Sequence, residues 1–459
     1  VSESKRKPAA AGEAVHDAAA DPPRKKILFT ASTMSHIENF HLPYLKAFEE
    51  MGWEVKALAL PVSKSFFSFQ NIRAIFSTRK LLLSEGFDVV SSQSTLAGII
   101  TRLAVLLAGK SIKPRESGKS LGPDNSGVSG KPSPPDNGNK PSKWMKVFHT
   151  SHGYLFHDGN SLKKWAYLLP EILCGKVTDV LMVMNHEDLA IAKKYKLCGK
   201  SDKIYYINGM GIDLAKFEAG KAAPQPLINE WKKSFGLKEN DFAFVYAAEF
   251  SKRKNHQLLL RGFAQALSIL KEAEKNSTPP ERPAERLESR SSESLSPKDR
   301  PSENLSSEHL SPDNLKLVLA GDGALLEETK ALAAELGIDG HVLFPGYVRN
   351  IPELYACCQA SVTTSRIEGL PFNVMEAMAC GLPVVASNIK GHHELIAHGE
   401  NGLLFESENQ EQLTEQLVEV YKNAALREKY GAAAIIKVKE FSVGKVFPDI
   451  MSIYHQSMA

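Results

Sequence analysis

Residues 25–60 read KKILFTASTMSHIENFHLPYLKAFEEMGWEVKALAL. The run KKILFTAS (25–32) is continuously apolar and ends in small residues. LPYLKAFEEMG then carries Leu42, Leu45 and Phe48 at helical spacing before a glycine stop, and WEVKALAL (53–60) is apolar again. Strand, helix and strand in one short stretch form the unit of a parallel, doubly wound sheet.

Outward from this unit the alternation continues through FDVVSSQ (87–93), KVFHTSHG (146–153) and DVLMVMN (179–185). After the linker-like INGMGIDLAKF (207–217) it restarts with DFAFVYAAEF (241–250), LKLVLAGDG (315–323), HVLFPGY (341–347), ASVTTS (360–365) and LPVVASN (382–388). The pattern predicts two Rossmann-like α/β units, over 24–207 and 208–440; a C-terminal helix over 441–459 is expected to pack back on the first unit. Open sheets of this kind bind ligands beyond the carboxyl ends of their strands, so the cleft between the units is the expected site.

At 459 residues the chain is too long for one ordinary core, and its 43% apolar and 24% charged content is that of a soluble globular protein. A net charge of +3 gives no reason to invoke a nucleic-acid partner. The five cysteines are odd in number and lack C-x-x-C spacing, which points away from a disulfide framework and toward a reducing, cytoplasmic setting. Residues 1–23 lack the apolar core of a signal peptide and read as a disordered tail. The longest apolar stretch, LAGIITRLAVLLAG (96–109), is interrupted by Arg102 and falls short of the roughly 18 to 20 residues needed to span a bilayer. Two stretches rich in Ser, Pro, Gly and charge, 109–143 and 272–314, read as low-complexity insertions expected to be disordered.

The richest motif is TSRIEGLPFNVMEAMACGLPVVAS (364–387), where Glu368 and Glu376 flank a Gly-Leu-Pro turn and a short helix that ends at Gly381. Amides of Gly369, Leu370 and their neighbours at such a helix start make an anion site, and a carboxylate beside it can take sugar or ribose hydroxyls. Alternatively, the two acids only complement the helix dipole. The cluster Lys252, Arg253 and Lys254 follows a strand and suits a diphosphate, although a solvated loop is the commoner setting for such a triplet.

His149 and His152 lie at the end of a predicted strand, and His36 and His41 in the loop and first turn after the first one. With no H-E-x-x-H, D-x-D or carboxylate cluster beside the His149 pair, no catalytic metal is expected. The loop after the first strand lacks G-x-G-x-x-G, which disfavours a dinucleotide cofactor. Asn185 with Asp188 reads as a structural helix cap.

Together these blocks resemble the retaining glycosyltransferases of family 4, which have the GT-B fold. Besides the E-x7-E element they comprise RKNH, GDG (321–323), VLFPGYVRNIPELY, HGENGLLF and INGMGIDLAKF. HIENFHLPYLKAFEEMGWEV, SHGYLFHDGNSLKKWAYLLPE, NHEDL and KGHHELI are similar to the bacterial exopolysaccharide and capsule branch. The likeness runs over nearly the whole chain apart from the tail and insertions.

The resemblance implies catalytic roles for Glu368, His152 and Lys254, with Glu368 and His152 at the donor sugar from opposite walls of the cleft. It also implies Glu376 at the ribose, Arg253 and Lys254 at the diphosphate, backbone of Gly369, Leu370 and Pro371 at sugar and phosphate, and Tyr347, Val348 and Arg349 at the base. One departure stands out: Ala248 and Glu249 occupy the place where the family often has Gly-Arg, and Arg253 is expected to supply the missing cation.

The implied reaction moves a hexose or N-acetylhexosamine, with retention and without a cofactor or metal, from a nucleotide sugar to a polyprenyl-diphosphate-linked saccharide. UDP is the favoured nucleotide, ahead of GDP. Such an acceptor requires the inner face of the membrane, and SLKKWAYLLPEILC (161–174), with Lys163, Lys164, Trp165, Tyr167, Leu168 and Leu169, is a candidate docking helix; packing on its own domain is the alternative. Two other readings compete: a nucleotide-sugar epimerase that needs no acceptor, and a non-catalytic sugar-nucleotide binder.

Overall fold

Lys26–Ala31 forms the first strand, β1, followed by β2 (Glu54–Ala59), β3 (Val89–Gln93), β4 (Lys146–Ser151), β5 (Val180–Val183) and β6 (Ile204–Tyr206). They make one six-stranded sheet in the order β2-β1-β3-β4-β5-β6, with every pair parallel. A second six-stranded parallel sheet has the order β12-β11-β10-β7-β8-β9. Its strands are β7 (Phe242–Ala247), β8 (Leu315–Ala320), β9 (Val342–Gly346), β10 (Ala360–Thr363), β11 (Val384–Ser387) and β12 (Leu403–Phe405). The structure, a computed structural model, describes residues 24–63, 68–109, 145–156, 162–277 and 310–458.

Parallel strands are covered by helices on both faces and so read as unbroken apolar runs, as in the wholly buried Val180–Val183 and Ala360–Thr363. The two units share one continuous core, which runs from Phe29 and Phe148 of the first sheet to Val374 and Val384 of the second. The helix Val443–Met458 closes that core: Tyr454 stacks on Phe148 with ring centroids 4.6 Å apart, and its hydroxyl lies 2.6 Å from Ser91 Oγ. The chain crosses between units where Ile212 bridges to Ser442.

Two expectations change. The long helix after β7 runs over His256–Ser277, and Pro312–Asn314 forms a turn of 3-10 helix, so both ends of the second predicted insertion are ordered secondary structure. The tail (1–23), residues 110–144 and residues 278–309 lie outside the described residues. Lys164 is not a membrane-facing cation. It is buried beside Tyr195, whose hydroxyl accepts from its Nζ at 3.2 Å, because the helix Leu162–Gly175 turns that side into its own domain. Its exposed edge is instead Trp165, Leu169 and Leu173. Arg102, which interrupts the apolar helix Thr95–Ala108, is fully buried and paired with Glu171 at 2.8 Å. Among the described residues no helix is long and apolar enough to cross a membrane.

Candidate functional site

The carboxyl ends of both sheets face one cleft of about 510 Å³, within the range of small-ligand sites. Its lining takes His36, His152 and Gly153 from the first unit, and Arg253, Lys254 and the turn from Ile367 to Asn373 from the second. The two walls touch at glycines. A Cβ on Gly369 would lie 1.8 Å from the His152 carbonyl oxygen, and one on Gly153, where φ is +114°, would lie 2.5 Å from Gly369 Cα. Only glycine permits this approach of backbone to backbone.

Lys254 reaches the cleft because its turn is pinned at the carbonyl, which accepts from the hydroxyls of Tyr246 at 3.1 Å and Thr364 at 3.2 Å. Its Nζ donates to Glu368 Oε1 at 2.6 Å, and Arg253 Nη1 donates to Oε2 at 2.7 Å. Burial pushes the Glu368 carboxyl up, but the two cations outweigh it and hold the group at about 2. Glu368 is therefore a carboxylate with both oxygens engaged by cations.

Glu376, one helical segment on in Phe372–Ala379, differs in state. Burial pushes its carboxyl up to about 7 against the pull of Lys254. Glu376 also lines a second cavity of about 360 Å³ with Tyr347, Val348, Glu249, Gly321 and Asp322. That cavity is shaped by GDG: a Cβ on Gly321 would lie 2.1 Å from the Ala248 carbonyl oxygen, and Phe250 N donates to the Asp322 carbonyl at 2.9 Å. Arg349 opens onto a third space that also borders Glu376. The structure thus arranges Glu368, His152, Arg253, Lys254, the turn from Gly369 to Pro371 and Tyr347 to Arg349 around three adjoining cavities with Glu376 at their junction, whereas Lys252 lines a separate cavity with Asn255 and Arg366. The Leu370 side chain turns into the shared core and only its segment edges the cleft.

Several residues escaped sequence reasoning. Asn185 does cap its helix, accepting from Asp188 N at 2.7 Å, but its Nδ2 also donates across the cleft to the Gly369 carbonyl at 3.2 Å. Asp188 pairs with Lys390 at 2.9 Å, both buried, and Lys390 donates to the Phe156 carbonyl at 2.8 Å. The NHEDL and KGHHEL segments are therefore one cross-domain latch, completed by Glu394 on His186 at 2.7 Å and on the Tyr206 hydroxyl at 3.1 Å. No local spacing could have revealed pairs about two hundred residues apart.

His149 lies within β4 rather than at its end. It is buried with Nδ1 near Ser92 Oγ at 3.0 Å, a packing residue. His152 instead gathers with His36 and His41.

Residues 295–437 match the family Glycosyl transferases group 1. The chain carries a group 1 glycosyltransferase domain. It is an enzyme of the glycosyltransferase class. Over 449 residues this glycosyltransferase is 28% identical to a Bacillus subtilis protein named as a glycosyltransferase, EpsD, covering 95% of the chain and 97% of EpsD. Over 378 residues it is 25% identical to the UDP-Gal:alpha-D-GlcNAc-diphosphoundecaprenol alpha-1,3-galactosyltransferase of Escherichia coli, covering 81% of the chain and 76% of that enzyme. Among solved structures, Anabaena Alr3699/HepE in complex with UDP and glucose superposes with a TM-score of 0.63 at 16% identity, over 94% of this chain and 100% of that one. The two parallel sheets and their flanking helices are the GT-B fold.

Proposed function

We propose that this glycosyltransferase moves a hexose or N-acetylhexosamine from a UDP-sugar to a polyprenyl-diphosphate-linked saccharide during synthesis of a cell-surface polysaccharide, with retention at the anomeric carbon. The observation that carries the reading is Glu368 held by Lys254 and Arg253 on one wall of a cleft whose other wall is His152. The E. coli relative, named for a UDP-sugar donor and a diphosphoundecaprenol acceptor, supports the substrate classes.

In this reading the nucleoside lies in the cavity of Tyr347 and Val348, with Glu376 on the ribose hydroxyls. The diphosphate meets Lys254 and Arg253, the latter in place of the cation that Glu249 replaces. The sugar lies between Glu368 and His152 against the backbone of Gly369 to Pro371. As the bond from the anomeric carbon to the diphosphate oxygen breaks, its electron pair leaves with UDP, the acceptor hydroxyl oxygen forms the new bond, and the hydroxyl proton passes to the departing diphosphate. Lys254 and Arg253 stabilise the charge that develops on the leaving diphosphate, a contribution that ordinarily amounts to about 2.7 to 4 kcal/mol per contact. The positive charge comes from these side chains, so no metal is assigned to the step.

The acceptor lies at the inner face of the membrane, reached by peripheral docking of the exposed edge of Leu162–Gly175 and of the helix Phe69–Glu85. The latter exposes Phe69, Ile72 and Phe76, and carries Arg73, Arg79 and Lys80. The test is UDP release from a panel of UDP-sugars with and without an undecaprenyl-diphosphate saccharide. The expected result is acceptor-dependent release with one sugar, lost in Glu376→Ala and Lys254→Ala. Consumption of the donor that ignores the acceptor would turn the reading toward an epimerase.

A further inference from the structure

We propose that His36, His41 and His152 form a binding site for one divalent transition-metal ion of the zinc type at the edge of the cleft, and that a bound ion switches sugar transfer off. One ring nitrogen from each of the three lies within 4.8 Å of the others. The rings are packed on one another, with centroids 4.6 Å apart for His36 and His152, 5.3 Å for His36 and His41, and 5.8 Å for His41 and His152.

Several nitrogens of these rings are buried without a hydrogen-bond partner. His41 is completely buried with neither nitrogen partnered, and Nε2 of His36 and of His152 is buried and unpartnered too. Buried polar atoms are nearly always satisfied, and one shared ion would take up one nitrogen from each of the three rings. A cation fits better than an anion, because the three converging side chains are all imidazoles, which ligate metals through a ring-nitrogen lone pair. Three histidines with an open fourth position are a donor set that zinc accepts, at Zn–N distances of about 2.0–2.1 Å. Modest inward movement of the rings reaches that distance. Entry is open because His36 and His152 line the cleft.

Binding stands on these observations alone. Inhibition rests on the proposed function, since it follows from removing His152 from the donor sugar.

Full-length protein stripped of metal is titrated with Zn2+ by calorimetry and with Co2+ by visible absorption. One equivalent should bind, with the intense visible bands of four-coordinate cobalt, and UDP release should fall at least tenfold at saturation and return with EDTA. His41→Phe fills the space between Phe29 and Tyr44 while removing one ligand, and should lose the tight equivalent; its inhibition is read against its own metal-free rate. His36→Gln serves as a second variant if circular dichroism shows His41→Phe unfolded. Absence of stoichiometric binding, or binding undiminished in a folded variant, overturns the site. Tight binding that leaves UDP release unchanged overturns the inhibition. Should no UDP-sugar support transfer at all, the titrations still decide the site and the failure belongs to the functional reading.

Discussion

Lys254 Nζ sits 2.6 Å from Glu368 Oε1, which ties the basic turn after β7 to the acidic turn after β10 at the carboxyl end of the second sheet. The carboxylate is the counterion of the two cations, and in the proposed reading the diphosphate of a donor competes for them. Lys254→Met should therefore lower kcat by about 10²–10³-fold, the usual loss for one contact to a developing charge. Glu368→Gln should also impair transfer, but with UDP affinity retained or improved, because the cations are released. Steady-state kinetics and UDP calorimetry separate the two.

The Glu376 carboxyl titrates at about 7 in the folded protein against an ordinary value of 4.5. Its contribution to stability is fully present below pH 4.5 and is lost as the pH rises through about 7, at a cost on the order of 1–3 kcal/mol. Glu376→Gln should remove that dependence and hold Tm up between pH 7 and 8. In the proposed reading ribose hydroxyls donate to the ionised acid, so UDP affinity of the wild type should rise with pH through about 7, with proton release on binding below it. Calorimetry in buffers of different ionisation enthalpy reads the proton directly.

Gly369→Ala would place a methyl 1.8 Å from the His152 carbonyl. Both atoms in that clash belong to backbone-anchored loops, so one wall must move. Overpacking of this kind ordinarily costs about 1–3 kcal/mol, and here it also widens the cleft. The expected outcome is a lower Tm together with a larger loss of kcat/KM, seen in melting curves and donor kinetics.

Lys390→Met leaves Asp188 buried without its cation and should destabilise by about 3–5 kcal/mol in denaturant melts. Adding Asp188→Asn should restore a large part of this, since the cost lies in the orphaned charge rather than in the lost pair.

Peripheral docking is tested by co-sedimentation with anionic vesicles. Phe69→Glu with Phe76→Glu, and separately Trp165→Glu with Leu169→Glu, should each reduce binding severalfold, as all four side chains are exposed. Unchanged binding in both pairs would remove these helices from the account. Lys164 is unsuitable for this test because its burial would confound charge with stability.

The fold was legible in the sequence because parallel strands leave unbroken apolar runs. Of the twelve strands among the described residues ten coincide with such runs, and the two missed, Ile204–Tyr206 and Leu403–Phe405, are three-residue strands at sheet edges, too short to set a period. The α/β class and the two tandem units follow from the rest, and the GT-B fold was implied by the resemblance of the sequence blocks. The cleft was legible where chemistry is local, as in the turn from Glu368 to Glu376. It was not legible where partners come from distant segments: nothing near Asp188 names Lys390, and nothing near His152 names His36 and His41. Lys164 misled because composition does not say which side of an amphipathic helix its lysine occupies; the Tyr195 hydroxyl decides it.

The most direct test of the central claim is mass spectrometry of an undecaprenyl-diphosphate saccharide after incubation with the protein and each of a panel of UDP-sugars. The account predicts that the acceptor gains one sugar from one donor, and that Lys254→Met slows the gain by about 10²–10³-fold. An acceptor left unchanged while the UDP-sugar is converted would contradict transfer.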